Sequence, residues 1–351
     1  LLKFFRQIIV STKRKHAGIK KLFLQKNLSK GKKFKLVEGN DLDFVRTLEN
    51  FVRYGKDYAS DPEFFKYMFS DNPFKDTLPD YYAVVLKERV SSIGYNFHSQ
   101  FQILGNIFKG AYFGGWRRLP ESNQFGAFQI FFKTISQSPI VGFYKPNKLA
   151  EKAFNNKGWK KIQVGSYLFT TNKLKAKGVT PSQNYDLAIF YHYPKVLNNL
   201  LREVNSHYFF SLNRTSEFYE WRFDKYKLND VSYFVSSIQS QPNGYFVVLT
   251  NNSIAHISDF YVDNIETFKF LLSSMFKVIQ KKNIKEIRLD TTINFVAQWL
   301  ELNLSPKVNF FNTYYYFNRK IICPEIINNV SEKWNDENFH ETLACSDVLL
   351  R

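Results

Sequence analysis

The residues between Gly110 and Trp159 have the order of an anion-binding turn. An aromatic, strand-like run from Gly110 to Trp116 leads through Arg118 and Leu119 to Pro120. Glu121-Ser122-Asn123-Gln124-Phe125-Gly126-Ala127 follows. An apolar segment of helical period begins at once, with Phe125, Phe128, Ile130, Phe131 and Ile135. Such a turn sets unsatisfied backbone N–H groups and the positive end of a helix dipole at the end of a strand, where a phosphate binds. Gly126 is the one glycine from Glu121 to Gly126, and Glu121 the one charge. Close approach of a ligand to the backbone is eased at a single position, and an acid stands nearby. Three more positions carry suitable chemistry. Trp221-Arg222 joins a stacking ring to a guanidinium that can clamp a carboxylate or phosphate, or is a core Trp beside a surface Arg. Asp259 and Asp290 each end a strand and serve as bases, substrate contacts or plain turn residues. Metal chemistry finds no support. The six His are scattered, and Cys323 and Cys345 form no CxxC, so neither a structural zinc site nor a disulfide framework is expected.

Positioning these groups takes a large chain. The 351 residues amount to about two domains. An apolar share of 44% is ordinary for a globular protein, and 37 Phe with 21 Tyr favour strands and large buried contacts. No run of apolar residues is long enough for a membrane helix, and the few cysteines suit a reducing, cytoplasmic setting. The net charge is +18, and eleven of those charges lie in residues 1–33, which hold no Asp or Glu. That arm is a solvated leader, or it touches nucleic acid or an anionic membrane face.

The hydrophobic pattern then reads in order. A strand at Phe34–Glu38 precedes a helix carrying Phe44, Leu48 and Phe51, with Asp41 as its N-cap. A second helix spans Asp61–Phe69. Strands follow at Tyr81–Lys87, Val90–Phe97 and Ile107–Trp116, then the Phe125 helix, a strand at Pro139–Tyr144, a short helix closed by Gly158, and a strand at Ile162–Thr170. Residues 171–185 read as a linker. The order then repeats: a strand at Leu187–Tyr193, a helix at Lys195–Val204, and a short helix at Glu217–Phe223. Strands at Val231–Ile238, Gly244–Thr250 and Ser253–Val262 lead to a helix at Ile265–Gln280, a strand at Ile284–Leu289, a helix at Phe295–Leu302 and a strand at Asn312–Phe317. The runs FFKYMF (Phe64–Phe69) and FYEWRF (Phe218–Phe223) hold equivalent places. A repeat this long is a duplicated domain rather than a solenoid. The chain divides into a basic arm (1–33), a first domain (34–172), a second domain (173–322) and a polar tail (323–351).

In this order of elements the sequence resembles the GNAT N-acetyltransferase superfamily. Leu119-Pro120 stands where members of that family place an apolar residue and a proline at the end of the fourth strand. Asn147-Lys148-Leu149-Ala150-Glu151-Lys152-Ala153-Phe154-Asn155-Asn156-Lys157-Gly158-Trp159 follows the family's N-x-x-A-x-x-L-Y-x-x-x-G-F, with Asn147, Ala150, Gly158 and Trp159 in register. The resemblance implies an α/β fold of two tandem GNAT-like domains, each a mixed, mostly antiparallel sheet flanked by helices. It implies acetyl-CoA or another acyl-CoA as co-substrate, no metal, and transfer to a small-molecule amine, with an amino sugar of surface polysaccharide as the neighbourhood's substrate. Arg118, Leu119, Asn123, Gln124, Phe125, Gly126, Ala127, Asn147 and Phe154 would bind the cofactor. Trp221, Arg222 and Asp259 would face the acceptor. Two departures bear on the chemistry. The family's R-G-x-G-x-G/A loop survives only as Gly126. Its proton-donating Tyr is replaced by Phe154, which has no proton to give. The second half resembles the family more faintly, and Val262-Asp263-Asn264 stands in place of its loop. Two other functions fit the same features. One is a non-catalytic ligand-binding or scaffold protein. The other is a Fem-type aminoacyl transferase, whose charged tRNA the basic arm would meet. No helix-turn-helix, zinc or RNP pattern speaks for DNA.

Overall fold

The computed structural model describes residues 35–39, 62–86, 89–118, 124–154, 158–177, 184–225, 230–251, 253–332, 334 and 339–340. The basic arm, the helix carrying Phe44 and most of the tail lie outside them.

Strands dominate because Val, Ile, Phe, Tyr and Thr alternate between two buried faces. In the first half, β1 (Lys35–Gly39), β2 (Tyr81–Leu86), β3 (Arg89–Ile103) and β4 (Asn106–Arg118) form an antiparallel meander. A short helix, α1 (Pro62–Phe65), precedes β2 and passes into a π-helical turn at Lys66–Ser70. After β4 come α2 (Gln124–Gln137), β5 (Ile140–Tyr144), α3 (Lys148–Phe154) and β6 (Trp159–Thr170). The residues read as a linker begin with a helix, α4 (Thr171–Lys177), because Leu174 finds a place in the core. The second half runs β7 (Asp186–Phe190), α5 (Leu197–His207), a short strand β8 (Phe210–Leu212) that the sequence reading lacks, and α6 (Ser216–Tyr219) with its own π-helical turn at Glu220–Asp224. Then follow β9 (Asp230–Ile238), β10 (Gln241–Asn251), β11 (Ile254–Val262), α7 (Ile265–Ile279), β12 (Glu286–Thr291), α8 (Asn294–Leu304) and β13 (Lys307–Phe317). The chain closes with α9 (Pro324–Glu332) and β14 (Phe339–His340).

All the described strands join one 14-stranded sheet, mostly antiparallel and flanked by helices. Its order is β1-β2-β3-β4-β5-β13-β6-β12-β11-β10-β9-β7. The order is symmetric about the β13–β6 ladder. The closing strand of each half has crossed over: β6 pairs with β12 of the second half, and β13 pairs with β5 of the first. Gly158 (φ 102°), just before β6, and Ser305 (φ 41°), just before β13, are counterparts with positive φ. Counting on from them makes Val164 and Phe311 counterparts too, and these two face each other in the β13–β6 ladder. A pseudo-twofold axis therefore crosses the sheet there.

The π-helical turns confirm the axis. Tyr67 stacks on its counterpart Trp221 with ring centroids 5.4 Å apart. The Tyr67 hydroxyl donates to the Arg222 carbonyl at 2.9 Å, and Trp221 Nε1 donates to the Tyr67 carbonyl at 2.8 Å. The large core on this face mixes both halves, with Tyr95, Phe101 and Tyr112 packed among Leu201, Phe210 and Tyr315. The opposite face holds one core for each half, under α2 and α3 and under α7 and α8.

Candidate functional site

Among the described residues, β4 with β5 in the first half and β11 with β12 in the second form parallel pairs that diverge, and a short third parallel pair joins β8 and β14. In the first half, β4 and β5 pair only from Gly110–Ile140 to Tyr112–Gly142, after which β4 runs on to Arg118 and β5 to Tyr144. A β-bulge sits on the free part of β4. Its ladder with β3 passes from Gly114–Tyr95 to Arg117–Ile93, so Gly115 and Trp116 together face Gly94. Gly115 takes φ 57°, a conformation that glycine adopts without strain and that re-aims the strand. Extended backbone without a partner strand offers N–H donors to a ligand. At the root of the divergence, Tyr112 lies over Gly142, where a Cβ would come within 2.7 Å of its ring, and the Tyr112 and Tyr315 hydroxyls are 2.8 Å apart. On the other face Phe113 meets Phe143 at 5.2 Å.

The sequence placed a phosphate loop at Glu121–Gly126. The structure shortens it. Gln124, Phe125, Gly126 and Ala127 already form the first turn of α2, because the apolar period under the helix starts with them. Leu119 and Asn123 lie outside the described residues, as do the side chains of Arg118, Gln124, Phe125 and Ala127. Asn147 is the N-cap of α3: its Oδ1 accepts from the Ala150 N–H at 2.9 Å. Phe154 is 1% exposed and packs among Phe131, Phe143, Trp159 and Tyr314. Its ring belongs to the core rather than to a ligand surface.

The second half repeats this architecture with its sites already filled. β11 and β12 pair from Ile254–Glu286 to Ile257–Leu289, and a bulge at Ser258 follows. The start of α7 is capped from within: Asn264 Oδ1 accepts from the N–H groups of Glu266 and Thr267, and Asp263 and Glu266 add negative charge. An incoming phosphate would meet both repulsion and an occupied cap.

Asp259, just past this bulge, is fully buried. Arg214 donates to it from Nε (3.0 Å to Oδ2) and Nη2 (3.1 Å to Oδ1), and the hydroxyls of Tyr219 (2.5 Å) and Tyr245 (3.2 Å) donate to Oδ2. Burial, and then the Asp259 charge, push both phenols far above their usual range, so they stay protonated donors. The carboxylate is thereby sealed off from an acceptor. Trp221 and Arg222 are likewise buried, 5% and 3% exposed, in the contact between the π-helical turns. The arrangement serves packing, not a clamp open to solvent.

Asp290 is also fully buried but has different partners. It ends β12 beside the pseudo-twofold axis, and its counterpart at the end of β5 is Tyr144. The two meet: the Tyr144 hydroxyl donates to Asp290 Oδ2 at 2.9 Å. Arg288, partly exposed, donates to the same carboxylate at 3.2 and 3.3 Å. His256 lies beside Arg288 in the β11–β12 ladder, and its Nδ1 has no hydrogen-bond partner among the described residues. Burial, and then Arg288, lower its pKa from 6.5, while Asp290 opposes the shift. The sequence reading named Asp290 but none of its partners. The paired glycines Gly114-Gly115 inside a strand were a legible bulge signal. Nothing in the sequence marks Tyr144, Arg288 or His256: the crossed strands bring Tyr144 to Asp290, and the β11–β12 pairing sets His256 beside Arg288. A cavity of about 320 Å³ lined by Asp76, Leu78, Gly110, Gln137 and Ser138 lies where the β4–β5 pairing begins, away from the divergence. No group of His, Cys, Asp and Glu among the described residues can hold a metal ion. No helix among them is long and apolar enough to cross a membrane.

This architecture is the GNAT fold. A GCN5-related N-acetyltransferase from Anabaena variabilis superimposes with a TM-score of 0.59 at 12% identity, covering 81% of this chain and 72% of that one. A protein from Enterococcus faecalis described as a probable N-acyltransferase gives 0.59 at 10%, covering 82% and 73%. The Saccharomyces cerevisiae N-myristoyltransferase with bound myristoyl-CoA gives 0.51 at 12%, covering 81% and 82%. No family model matches the sequence, and no curated protein matches it.

Proposed function

We propose that this chain is an acyl-CoA-dependent N-acyltransferase with its thioester site in the first half. The observation that carries this reading is the divergence of β4 from β5 beyond Tyr112–Gly142, with the Gly115 bulge on one lip. The free backbone of β4 would hold the pantetheine. The first turn of α2 has N–H groups with no intrahelical partner, and these suit a diphosphate. The second half has the same divergence but a self-capped, acidic helix start, which leaves the first half as the site. The acceptor is a small-molecule amine, with an amino sugar as the first candidate. Its nitrogen lone pair attacks the thioester carbon. The C–N bond forms, the C–S bond breaks, and the oxyanion is held by a backbone N–H at the bulge. The attacking nitrogen gives up one proton to solvent as the amide forms, and because Phe154 supplies none, the departing thiolate takes one from solvent. We infer a tandem duplication from the counterpart contacts at the pseudo-twofold axis.

A second reading, a ligand-binding scaffold, draws on the aromatic closure at the root of the divergence, Phe113 against Phe143 and Tyr112 over Gly142. The Fem-type reading rests on residues 1–33, outside the described structure. The two first readings separate by calorimetry with acetyl-CoA and by assay of CoA release with a panel of primary amines. The transferase reading expects one acetyl-CoA per chain, and expects Gly115→Val to lower kcat at least about tenfold more than it weakens acetyl-CoA binding. Absence of both binding and CoA release would leave the scaffold.

A further inference from the structure

The divergence of β4 from β5 ends, on each face of the sheet, at an aromatic ring lodged over a glycine. On one face Tyr112 leans from β4 across β5. Its ring lies over Gly142, where a Cβ would come within 2.7 Å of it, and its hydroxyl is 2.8 Å from that of Tyr315 on β13. On the other face Phe113 lies over Gly94 of β3, where a Cβ would come within 2.4 Å of the ring. The same ring meets Phe143 of β5 at 5.2 Å and Phe131 of α2 at 6.4 Å. Tyr112 opposes Gly142 in the last pair of the β4–β5 ladder, so Phe113 and Phe143 stand at the next level up. All four of Tyr112, Phe113, Phe143 and Tyr315 are buried. A glycine inside a strand weakens it and marks a close approach. Gly94 and Gly142 are such positions, and each makes room for one of the two rings.

We propose that Tyr112 and Phe113 set the length of the acyl group, and that the co-substrate is a short-chain acyl-CoA, acetyl to butyryl. This rests on the N-acyltransferase reading. The helix α2 begins past the far end of β4, so a diphosphate at its first turn sends the pantetheine back along β4 toward the ladder. With the thioester carbonyl at the Gly115 bulge, the acyl tail points on toward Phe113 and Tyr112. Two residues of strand, about 7 Å, separate Gly115 from Phe113. Gly114, between them, adds no side chain to that space. A tail of a few carbons ends within it. A longer one must displace a ring wedged among core neighbours, and a close-packed interior resists such overpacking. The aromatic closure is thus a stop at the inner end of the site, and the two rings are specificity-determining residues.

The test measures dissociation constants of the full chain for acetyl-CoA, butyryl-CoA and octanoyl-CoA by calorimetry. Wild type is expected to bind the first two within about threefold of each other and octanoyl-CoA at least about tenfold more weakly. Tyr112→Ala and Phe113→Ala are each expected to narrow the octanoyl-to-acetyl gap to about threefold or less. Circular dichroism checks that each variant folds, and Tyr112→Leu and Phe113→Leu, which keep more of the packing, carry the same expectation if the alanine variants do not. Tyr112→Phe keeps the ring and loses only the hydroxyl pair with Tyr315, so it should keep the wild-type gap; a lost gap there would overturn the steric account. Wild type that binds octanoyl-CoA as well as acetyl-CoA would overturn the stop while the acyl-CoA site stands. So would an undiminished gap in folded variants of both residues. Binding of none of the three by wild type would overturn the transferase reading and the stop together, and would leave the aromatic closure to the scaffold reading.

Discussion

At the scale of single residues, the two strand-end aspartates share an origin in sequence and differ in surroundings. Asp259 is enclosed by Arg214, Tyr219 and Tyr245, whereas Asp290 is held by a partly exposed Arg288 and by Tyr144. Removing one partner of a buried ion pair strands the other charge, so Asp259→Ala should cost about 3–5 kcal/mol in urea unfolding, and a cost under about 1 kcal/mol would refute the account of its burial. His256 makes a pH prediction. Its pKa is below 6.5 in the fold, through burial and Arg288, so the unfolded chain takes up this proton first on acidification. Stability therefore falls as the pH drops below about 6.5, and the loss ends below the folded pKa. His256→Gln should flatten the urea midpoint between about pH 7 and pH 5 relative to wild type; equal slopes would contradict it. The sequence put Asp259 and Asp290 at strand ends; the structure places Asp290 one residue from the end of β12 but Asp259 inside β11. The sequence did not show that Arg214 encloses Asp259, because Arg214 stands 45 residues away in the chain.

Among the elements, the strands and the long helices were legible, since alternation and the 3.6-residue period are local properties. Asn147 and Gly158 were legible in finer detail: Asn147 caps α3, and Gly158 takes a positive φ just before β6. Asn147→Ala should lower stability by about 1 kcal/mol without changing acetyl-CoA affinity, as thermal melts and calorimetry would show; a loss of affinity would return Asn147 to the cofactor site. The loop is shorter than the sequence implied because the apolar period of α2 begins before the glycine, so Gln124–Gly126 are helix. The helix α4 was read as a linker because Lys173, Lys175 and Lys177 hide a single buried anchor, Leu174. The runs FFKYMF and FYEWRF hold equivalent places in the sequence. Their π-helical turns and their mutual stacking are tertiary facts that no local pattern encodes.

For the whole molecule, the crossed closing strands matter most. β6 and β13 each complete the other half's sheet, and the core between the halves mixes residues from both. A fragment ending at residue 172 would lose β13 and bare one edge of β5, so it should be insoluble or aggregate, while addition of a fragment 173–351 should restore soluble material. A soluble, cooperatively folded fragment 1–172 on its own would contradict this interdependence. The same crossing brings Asp290 of the second half to Tyr144 at the end of β5. The central claim, that acyl-CoA binds in the first half, is tested most directly by a crystal structure of the chain with acetyl-CoA. The account predicts the pantetheine between the free ends of β4 and β5, with the diphosphate at the first turn of α2. Acetyl-CoA lying between β11 and β12 instead, or no acetyl-CoA density at saturating concentration, would contradict it.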